Sequence, residues 1–303
     1  MGATESGTTR DTNWGRWGDD DEIGARNLLT PELTLAALKV PTTGKVYTLG
    51  LPIQRAGVPN VEYRGIPQRL TLVNHSDEEM YAAYGAQPGV GTNEDMLMMA
   101  SHTVTHMDAL CHVYHEGAIY NGFAHDDMKA YGGAQRCGIE KSGGIVTRGV
   151  LVDVARHKGV GWLDPGYCIT LADFTDALAA QGTEVRAGDA VLIRTGWVEW
   201  FFANGAEMSL EQPGIGLDVA TWLGERDVVV VGADNTAVEV QPFDRDAFLG
   251  AHVELLVRRG IHLVEHLKLD DLSADRCYEF LFSVSPLLVT GGTASPVSPV
   301  AVG

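Results

Sequence analysis

Four of the ten histidines of this chain fall in one stretch, SHTVTHMDALCHVYH, and their spacing restricts how that stretch can fold. They are His102, His106, His112 and His115, and Asp108 lies among them. At about 100° per residue, a helix would turn Asp108 and His112 away from the first two histidines. On an extended strand the even-numbered positions share one face, but ten flat residues span about 33 Å. The spacing therefore predicts a bent strand or loop that gathers these side chains into one pocket.

This set of residues is suited to a divalent metal ion. Two imidazoles and a carboxylate bind Zn²⁺, Mn²⁺ or Fe²⁺ and leave positions open for water and substrate. The candidate ligands are His102, His106 and Asp108. We expect a site for one divalent ion here, or for two if further ligands reach it.

A second group of titratable residues lies in the later stretch AHVELLVRRGIHLVEHL. His252 and Glu265 are candidates to complete the metal site. By residue chemistry alone, Glu254, His262 and His266 are their rivals. His262 and Glu265 lie three residues apart in an apparent strand, so their side chains should face opposite sides of it.

Other motifs point to no competing chemistry. Cys111 lies inside the histidine-rich stretch, and we interpret it as a small buried thiol rather than a nucleophile. The aromatic cluster at residues 197–202 is more typical of a core than of a pocket wall. The sequence has no GxxxxGK[ST] and no GxSxG, which argues against a P-loop and a nucleophile elbow.

The charge balance limits the partners of the chain. Lysine and arginine number 22 against 40 aspartates and glutamates, so the formal net charge is −18. Such a surface repels phosphate backbones and disfavours nucleic acid and anionic membranes as partners. There is no apolar run of about 18 residues and no signal-peptide pattern. The four cysteines are scattered without a CxxC pair, which predicts reduced thiols and a cytoplasmic protein.

Apolar runs typical of buried strands alternate with helical segments after residue 144. Thr170 and Asp173 form a capping-box pattern at the start of one helix, and residues 217–224 predict another. The predicted strands are 46–53, 68–74, GIVTRGVLVDVA, DAVLIRTGW, DVVVVGAD, YEFLFSVSPLLV and ASPVSPVAV. This order favours a single α/β domain with a mixed sheet.

The N-terminal part of the chain has three distinct segments. Residues 1–13 are small and polar and predict a flexible tail, so that the domain should span 14–303. The Thr-Pro-Glu sequence at 30–32 provides an N-cap, a proline at the first helical position and an acidic first turn, which predicts a helix to about Val40. The acidic, methionine-rich segment 76–98 predicts a lid or a partner contact.

The segment HTVTHMDALCH resembles the HxGTHxDxPxH motif of the cyclase-like metal-dependent hydrolases. That family includes bacterial kynurenine formamidase and isatin hydrolase. Val104 stands where the motif has glycine and Leu110 where it has proline, which affects the local backbone path and the pocket shape. Five further blocks, in the expected order, resemble a longer branch of the family: WGDDDEIGARNLLTPE, YNGF, LIRTGW, VGADNTAVE and LLVRRGIHLVEHL.

The resemblance implies roles for individual residues. It implies that the three candidate ligands bind metal and that His112 is the catalytic acid/base. It also implies that His252 and Glu265 complete a two-metal site, since some members use one Mn²⁺ and others two Zn²⁺. The implied fold is a swivelling β/β/α domain, a mixed sheet flanked by helices, in a homodimer or larger homo-oligomer. The implied substrates are small amides, formamides, cyclic amides or lactones, and we expect an aromatic or cyclic compound.

The chemistry of these residue types suggests a mechanism. A divalent ion lowers the pKa of bound water from 15.7 towards about 7, which supplies hydroxide for attack on an acyl carbon. His112 would take the proton of that water and return it to the leaving group, work suited to an imidazole with a pKa near neutrality.

Two other functions remain open at this point. His106, Asp108 and His252 occur in the order of the facial triad of non-haem Fe(II) oxygenases. A cyclase or dehydratase of secondary metabolism, or an inactive metal-binding scaffold, would use the same framework.

Overall fold

The structure is a computed structural model that describes residues 11–303. The first ten residues of the predicted tail lie outside the described residues. Asn13, at the end of that predicted tail, is buried. Its side-chain amide donates to the Arg259 carbonyl at 2.9 Å, and its backbone N–H donates to the Arg258 carbonyl at 2.8 Å. The packed part of the chain therefore already includes Asn13.

The strands are short except at the centre of the molecule. In chain order they are β1 (Val46–Thr48), β2 (Gln68–Val73), β3 (Glu94–Met98), β4 (His106–Asp108), β5 (Met128–Lys129), β6 (Gly133–Ala134), β7 (Ile145–Asp153), β8 (Cys168–Ile169), β9 (Ala190–Arg194), β10 (Gly214–Ile215), β11 (Val230–Ala233), β12 (His262–Glu265), β13 (Glu279–Val284), β14 (Ala294–Pro296) and β15 (Val300–Val302).

Nine strands of the described residues form one mixed sheet in the order β1-β15-β13-β7-β9-β11-β12-β4-β14. Strands β7, β9, β11 and β12 are parallel, and the strands on either side of them are antiparallel. Every residue of β9, β11 and β12 is buried, as expected for strands covered on both faces. The prediction of an α/β domain with a mixed sheet is confirmed.

Helices cover this sheet. They are α1 (Pro31–Ala37), α2 (Glu78–Ala82), α3 (Ile139–Ser142), α4 (Val154–His157), α5 (Leu171–Gln181), α6 (Trp197–Ala203), α7 (Leu217–Glu225), α8 (Gly250–His252) and α9 (Asp270–Asp275). A π-helical segment, Val253–Arg259, continues α8, and short 3₁₀ turns occupy Gly24–Leu28, Glu62–Arg64, His75–Asp77, Tyr120–Gly122, His125–Asp127 and Asp244–Asp246. None of these helices within residues 11–303 has both the length and the apolar character needed to span a bilayer.

The predicted helix starts are present. Thr30 accepts a hydrogen bond from the Leu33 backbone at 3.3 Å and caps α1, which ends at Ala37, before the predicted Val40. Thr170 and Asp173 form the reciprocal capping box of α5. The predicted strand 46–53 shortens to β1, because only its first three residues pair with β15.

The segment that contains β2 and β3 differs from the rest of the fold. These two strands pair only with each other, as an antiparallel hairpin. All five residues of β3 are exposed, and so are the apolar side chains of Leu70 and Leu72 on β2. We call residues 68–98 the hairpin arm.

Strand β4 lies near one edge of the sheet, between β12 and β14. The pairing register sets His106 directly opposite Glu265 on β12 and Asp108 opposite Ala294 on β14. Directly opposed side chains lie on one face, with Cβ atoms about 4.5–5.5 Å apart. Alternation along β4 also points His106 and Asp108 to the same face. The sheet register therefore brings residues from distant parts of the sequence together.

Candidate active site

The histidine-rich segment bends as its spacing predicts. Only His106–Asp108 is extended, and turns lie before and after this three-residue strand. His102 lies in the preceding turn and His112 in the following one. The bend brings the rings of His102 and His112 to within 4.0 Å of each other, centroid to centroid.

The first three candidate ligands converge with Glu265. Asp108 Oδ1 lies 2.9 Å from His102 Nδ1 and 3.6 Å from His106 Nε2. Glu265 Oε2 lies 3.5 Å from His106 Nε2. Ligand atoms at about 2.1 Å from a tetrahedral ion lie about 3.4 Å from one another. These separations therefore suit donors that share one ion.

His252 faces the other oxygens of the same two carboxylates. Its Nε2 lies 3.7 Å from Asp108 Oδ2 and 3.5 Å from Glu265 Oε1. A ligand atom of His112 lies within 4.8 Å of one from Asp108 and one from His252. Each carboxylate thus presents one oxygen to His106 and the other to His252, which is an arrangement able to bridge two ions.

The donor atoms at this place have few other partners. Among the described residues, no hydrogen bond reaches His102 Nδ1, His106 Nε2, Glu265 Oε2 or either carboxylate oxygen of Asp108, and all of these atoms are buried. Buried polar atoms are almost always paired, and buried charges are paired or coordinate a metal. Nitrogen and carboxylate donors that face one another without a hydrogen bond in this way fit a divalent cation such as Zn²⁺ or Mn²⁺.

Hydrogen bonds behind the imidazoles fix which nitrogen faces the site. His106 Nδ1 donates to the Val104 carbonyl at 2.8 Å, so Nε2 carries the free lone pair. His252 Nδ1 donates to Glu239 Oε1 at 2.6 Å. His102 Nε2 is 3.0 Å from Thr293 Oγ1, which leaves Nδ1 towards Asp108. Such outer partners orient the ligands of a metal and increase their basicity.

The backbone conformation at Val104 indicates why the family motif has glycine at this position. Its φ is +58°, in the left-handed region that β-branched residues rarely adopt. This conformation aims its carbonyl at two imidazoles, since His266 Nδ1 also donates to it, at 3.1 Å. The Val104 side chain is buried beside Leu51 and Trp197. A valine in this conformation therefore carries local strain, which a glycine would not.

The charges of the site suit metal binding. Burial lowers the pKa of His106, which keeps its imidazole neutral. Burial tends to raise the pKa of Asp108, but the imidazoles of His112 and His102 outweigh it and hold this pKa below its usual range. The pKa of Glu265 is lowered in the same way, because His106 and His252 outweigh its burial. Both carboxylates are therefore ionised at neutral pH.

His252 and His112 titrate differently. Burial tends to lower the pKa of His252, but the carboxylates of Glu239 and Glu265 outweigh it and raise this pKa to about 10. A metal ion at His252 must displace that proton. Burial lowers the pKa of His112 to about 4, despite the attraction of Asp108. This pKa is lower than the near-neutral value typical of an acid/base imidazole, so the His112 ring is neutral at physiological pH.

A cavity of about 360 Å³ opens onto this cluster. His112, His252 and Glu265 lie at its inner end. Its outer part is largely apolar and aromatic, with Tyr63, Met208, Leu210, Phe243, Phe248 and Leu249 in the wall. A small organic molecule that enters here meets the charged cluster with one end and apolar side chains with the other.

The three residues that rival His252 and Glu265 by residue chemistry have other hydrogen-bond or ion-pair partners. Glu254 forms an ion pair with Arg259 at 2.7 Å. His262 Nδ1 donates to the Asp108 backbone carbonyl at 2.9 Å. Both nitrogens of His266 are used, by the Val104 carbonyl and, at 2.8 Å, by Thr236 Oγ1. His266 therefore lies beside the cluster without a free nitrogen for a metal.

Sequence reasoning did not identify three polar groups behind the ligands. These are Glu239, Thr293 and the Val104 carbonyl. Glu239 ends the block VGADNTAVE, which resembles the family, but nothing in the sequence indicates that its carboxylate meets His252. Cys111 is buried, and burial raises the pKa of its thiol to about 12, which agrees with an inert thiol.

Comparisons with known proteins identify the family of this chain. A family model described as putative cyclase matches residues 12–240. Kynurenine formamidase of Bacillus cereus is 27% identical over 208 residues, which cover 69% of this chain and 79% of that protein. Cyclase-like protein 2 of Oryza sativa subsp. japonica is 28% identical over 210 residues, which cover 69% of this chain and 65% of that protein.

Solved structures share the fold. A crystal structure described as a novel cyclase is 36% identical, with a TM-score of 0.87, and the match covers 97% of this chain and 100% of that one. Isatin hydrolase A from Labrenzia aggregata, bound to benzyl benzoate, is 17% identical, with a TM-score of 0.62, and covers 85% of this chain and 93% of its own. Since the family model matches well over half of the chain, this protein belongs to the cyclase family.

Proposed function

We propose that this protein is a metal-dependent hydrolase that cleaves a small amide, formamide, cyclic amide or lactone. The observation that carries the proposal is the set of unpaired, buried imidazole nitrogens and carboxylate oxygens at the end of one cavity. Relatives named kynurenine formamidase and isatin hydrolase support an amide C–N bond as the target.

Different residues of the chain have different roles in the proposed hydrolysis. A divalent ion, when bound, lowers the pKa of a coordinated water towards about 7 and polarises a carbonyl. His112 is neutral and lines the cavity, so it can take a proton from the attacking water and return it to the leaving nitrogen or oxygen. Asp108 and Glu265 remain ionised and balance the positive charge of the site.

The positions of the two carboxylates support a site for two ions. His102, His106 and Asp108 would hold one ion, either Zn²⁺ or Mn²⁺. His252 would hold a second, together with Asp108 and Glu265, because the two oxygens of each carboxylate face different imidazoles. His112 then acts on protons rather than as a ligand, although its ring is close enough to the cluster for either role.

The hairpin arm supports a homodimer or larger homo-oligomer. The consecutive side chains of Met96, Leu97 and Met98 are all exposed on a two-stranded hairpin. Isolated two-stranded hairpins are marginally stable in water, and exposed apolar patches mark interaction sites. We propose that a second copy covers the arm and that the protein works in the cytoplasm, since all four cysteines are free.

The oxygenase alternative gives a role to fewer residues of the cluster than the hydrolase does. A triad of His106, Asp108 and His252 would leave His102 and Glu265 without a role. Both of these lie within 4 Å of the triad, with unpaired buried atoms. The hydrolase uses all five residues.

The test combines metal analysis with a substrate panel. The protein would be purified without added metal, its metal content measured by mass spectrometry, and its activity measured on N-formylkynurenine, isatin and simple lactones. We expect at least one divalent ion per chain. We also expect hydrolysis of at least one substrate, lost with a chelator and restored by Zn²⁺ or Mn²⁺.

Two outcomes would contradict the proposal. Consumption of O₂ and 2-oxoglutarate would indicate an oxygenase. A fully metal-loaded protein that turns over no amide or lactone would favour a binding scaffold.

A further inference from the structure

Arg64 is a half-buried arginine in the wall of the cavity that holds His112, His252 and Glu265. It is the last residue of the 3₁₀ turn Glu62–Arg64. Neither the motif nor the ligand cluster explains a cation at this position.

The turn that carries Arg64 is held by its own hydrogen bonds. The Arg64 backbone N–H donates to the Val61 carbonyl at 3.0 Å, and the Gly65 N–H donates to the Glu62 carbonyl at 3.1 Å. The Asn60 side chain donates to the Gly65 carbonyl at 2.6 Å, and Gly65 takes a positive φ of +70°. The arginine is therefore positioned before any ligand arrives, which reduces the entropy lost on binding.

The Arg64 guanidinium has more N–H groups than the hydrogen bond it forms within the described residues requires. One of its five N–H groups donates to the His102 carbonyl, and its carbon lies 5.6 Å from the centre of the Tyr63 ring. Within the described part of the chain, no carboxylate forms an ion pair with Arg64, although Glu62 lines the same cavity. In a protein with a net charge of −18, an arginine without an acidic partner at a cavity wall is conspicuous.

We propose that the substrate carries a carboxylate, separate from the bond that is cleaved, and that Arg64 binds it. A planar guanidinium binds a carboxylate through two parallel hydrogen bonds. The apolar side chains of Phe243, Phe248 and Leu249 would then contact the body of the substrate, while its scissile carbonyl meets the ligand cluster. This inference rests on the proposed hydrolase function and narrows its substrate class to aromatic or cyclic acids.

The contact with the His102 carbonyl offers a simpler role for Arg64. In that role Arg64 only connects the Glu62–Arg64 turn to the segment that contains His102, a proposed metal ligand. Loss of Arg64 would then impair all substrates alike. Selectivity between charged and neutral substrates separates the two roles, because only the binding role depends on the charge of the substrate.

The experiment compares two aromatic formamides, one with a free carboxylate and one with a carboxamide in its place. The readout is the ratio of their kcat/KM values in the wild type, Arg64→Met, Arg64→Lys and the control Arg55→Met. Arg55 is exposed on the same loop and does not line the cavity. We expect the wild type to prefer the carboxylate and Arg64→Met to lose about 10- to 100-fold of that preference. Arg64→Lys should keep part of it, and Arg55→Met should keep all of it.

A binding measurement keeps the inference testable if neither formamide is hydrolysed. Calorimetry would compare phenylacetate with phenylacetamide on wild type and Arg64→Met of equal metal content, since a carboxylate also binds metal directly. Tighter binding of phenylacetate that Arg64→Met weakens would support the inference even if the hydrolase proposal fails. An unchanged ratio in Arg64→Met, or a wild type without preference for the acid in both measurements, would overturn it.

Discussion

The two sides of the ligand cluster are built in different ways. The motif side, residues 102–108, comes from one short segment in which a turn and a three-residue strand place all its proposed ligands. The distal side consists of Glu239, His252 and Glu265, which come from a loop, a short helix and a strand. Asp108 belongs to the motif side but faces both, with one oxygen towards each.

The two sides depend on different structural features. The motif side depends on local backbone geometry, including the positive φ of Val104. The distal side depends on sheet register, which sets Glu265 opposite His106. It also depends on Glu239, which accepts from the backbone N–H groups of Ala251 and His252 as well as from the His252 ring. Substitutions should therefore affect the two sides separately, except at Asp108.

Asp108→Ala should have the largest effect, because it removes the carboxylate that both sides share. We expect loss of most bound metal and a fall in kcat/KM of at least about 10³-fold, as metal activation of water is lost. Metal content by mass spectrometry and hydrolysis rates would measure this. Asp164→Ala, at an exposed aspartate, is the matched control. Full metal occupancy in Asp108→Ala would refute the assignment.

His112→Gln should separate proton transfer from metal binding. We expect metal content close to that of the wild type and a kcat lower by about 10²–10⁴-fold, the usual contribution of a general acid/base. Metal analysis and steady-state kinetics on the same preparation would check both. Loss of metal would make His112 a ligand, and wild-type turnover would remove it from the mechanism.

His252→Ala should affect the distal side alone. We expect the metal stoichiometry to fall from near two ions per chain to near one, because Glu265 and Asp108 keep their contacts with His106. Glu239→Gln should weaken the second ion by only about 10- to 100-fold, since it changes the orientation and basicity of the ligand rather than removing it. A wild type with one ion per chain, unchanged in His252→Ala, would show that the two-ion proposal is wrong.

Val104→Gly should have the smallest effect, on stability rather than on activity. Glycine relieves the cost of a left-handed valine, about 1–2 kcal/mol, but removes a buried side chain worth about 1.5–3 kcal/mol. Val104→Ala loses most of the packing and keeps the strain, so it should be the less stable variant. Denaturant unfolding would rank the two, and a less stable Val104→Gly would show that the left-handed conformation carries little strain.

The sequence was more informative about the motif side than about the distal side. The even-numbered positions of His102, His106 and Asp108 predicted a shared face and a bend, and both are present. The apolar runs predicted β7, β9 and β11 because parallel strands buried on both faces must be apolar throughout.

What residue chemistry alone could not decide is set by pairing between distant segments. Glu265 and His262 both lie in β12, and only the register with β4 sends Glu265 into the cluster while His262 bonds to the Asp108 backbone. Glu239 looks like any acidic loop residue until the fold brings it to His252. Arg64 likewise lacks a sequence signal, because its proposed role depends on its place in the cavity wall and on having no ion pair among the described residues.

The Val104 carbonyl has a consequence for how this site tolerates mutation. The acceptor that orients His106 and His266 is a main-chain atom, so no substitution at position 104 can delete it. A change of side chain there alters how stably the segment folds, while the tautomer of the ligand stays the same. The stability of the segment and the orientation of the His106 ring are therefore separable at this position. A valine, although poorly suited to the conformation, still leaves His106 Nε2 facing the cluster.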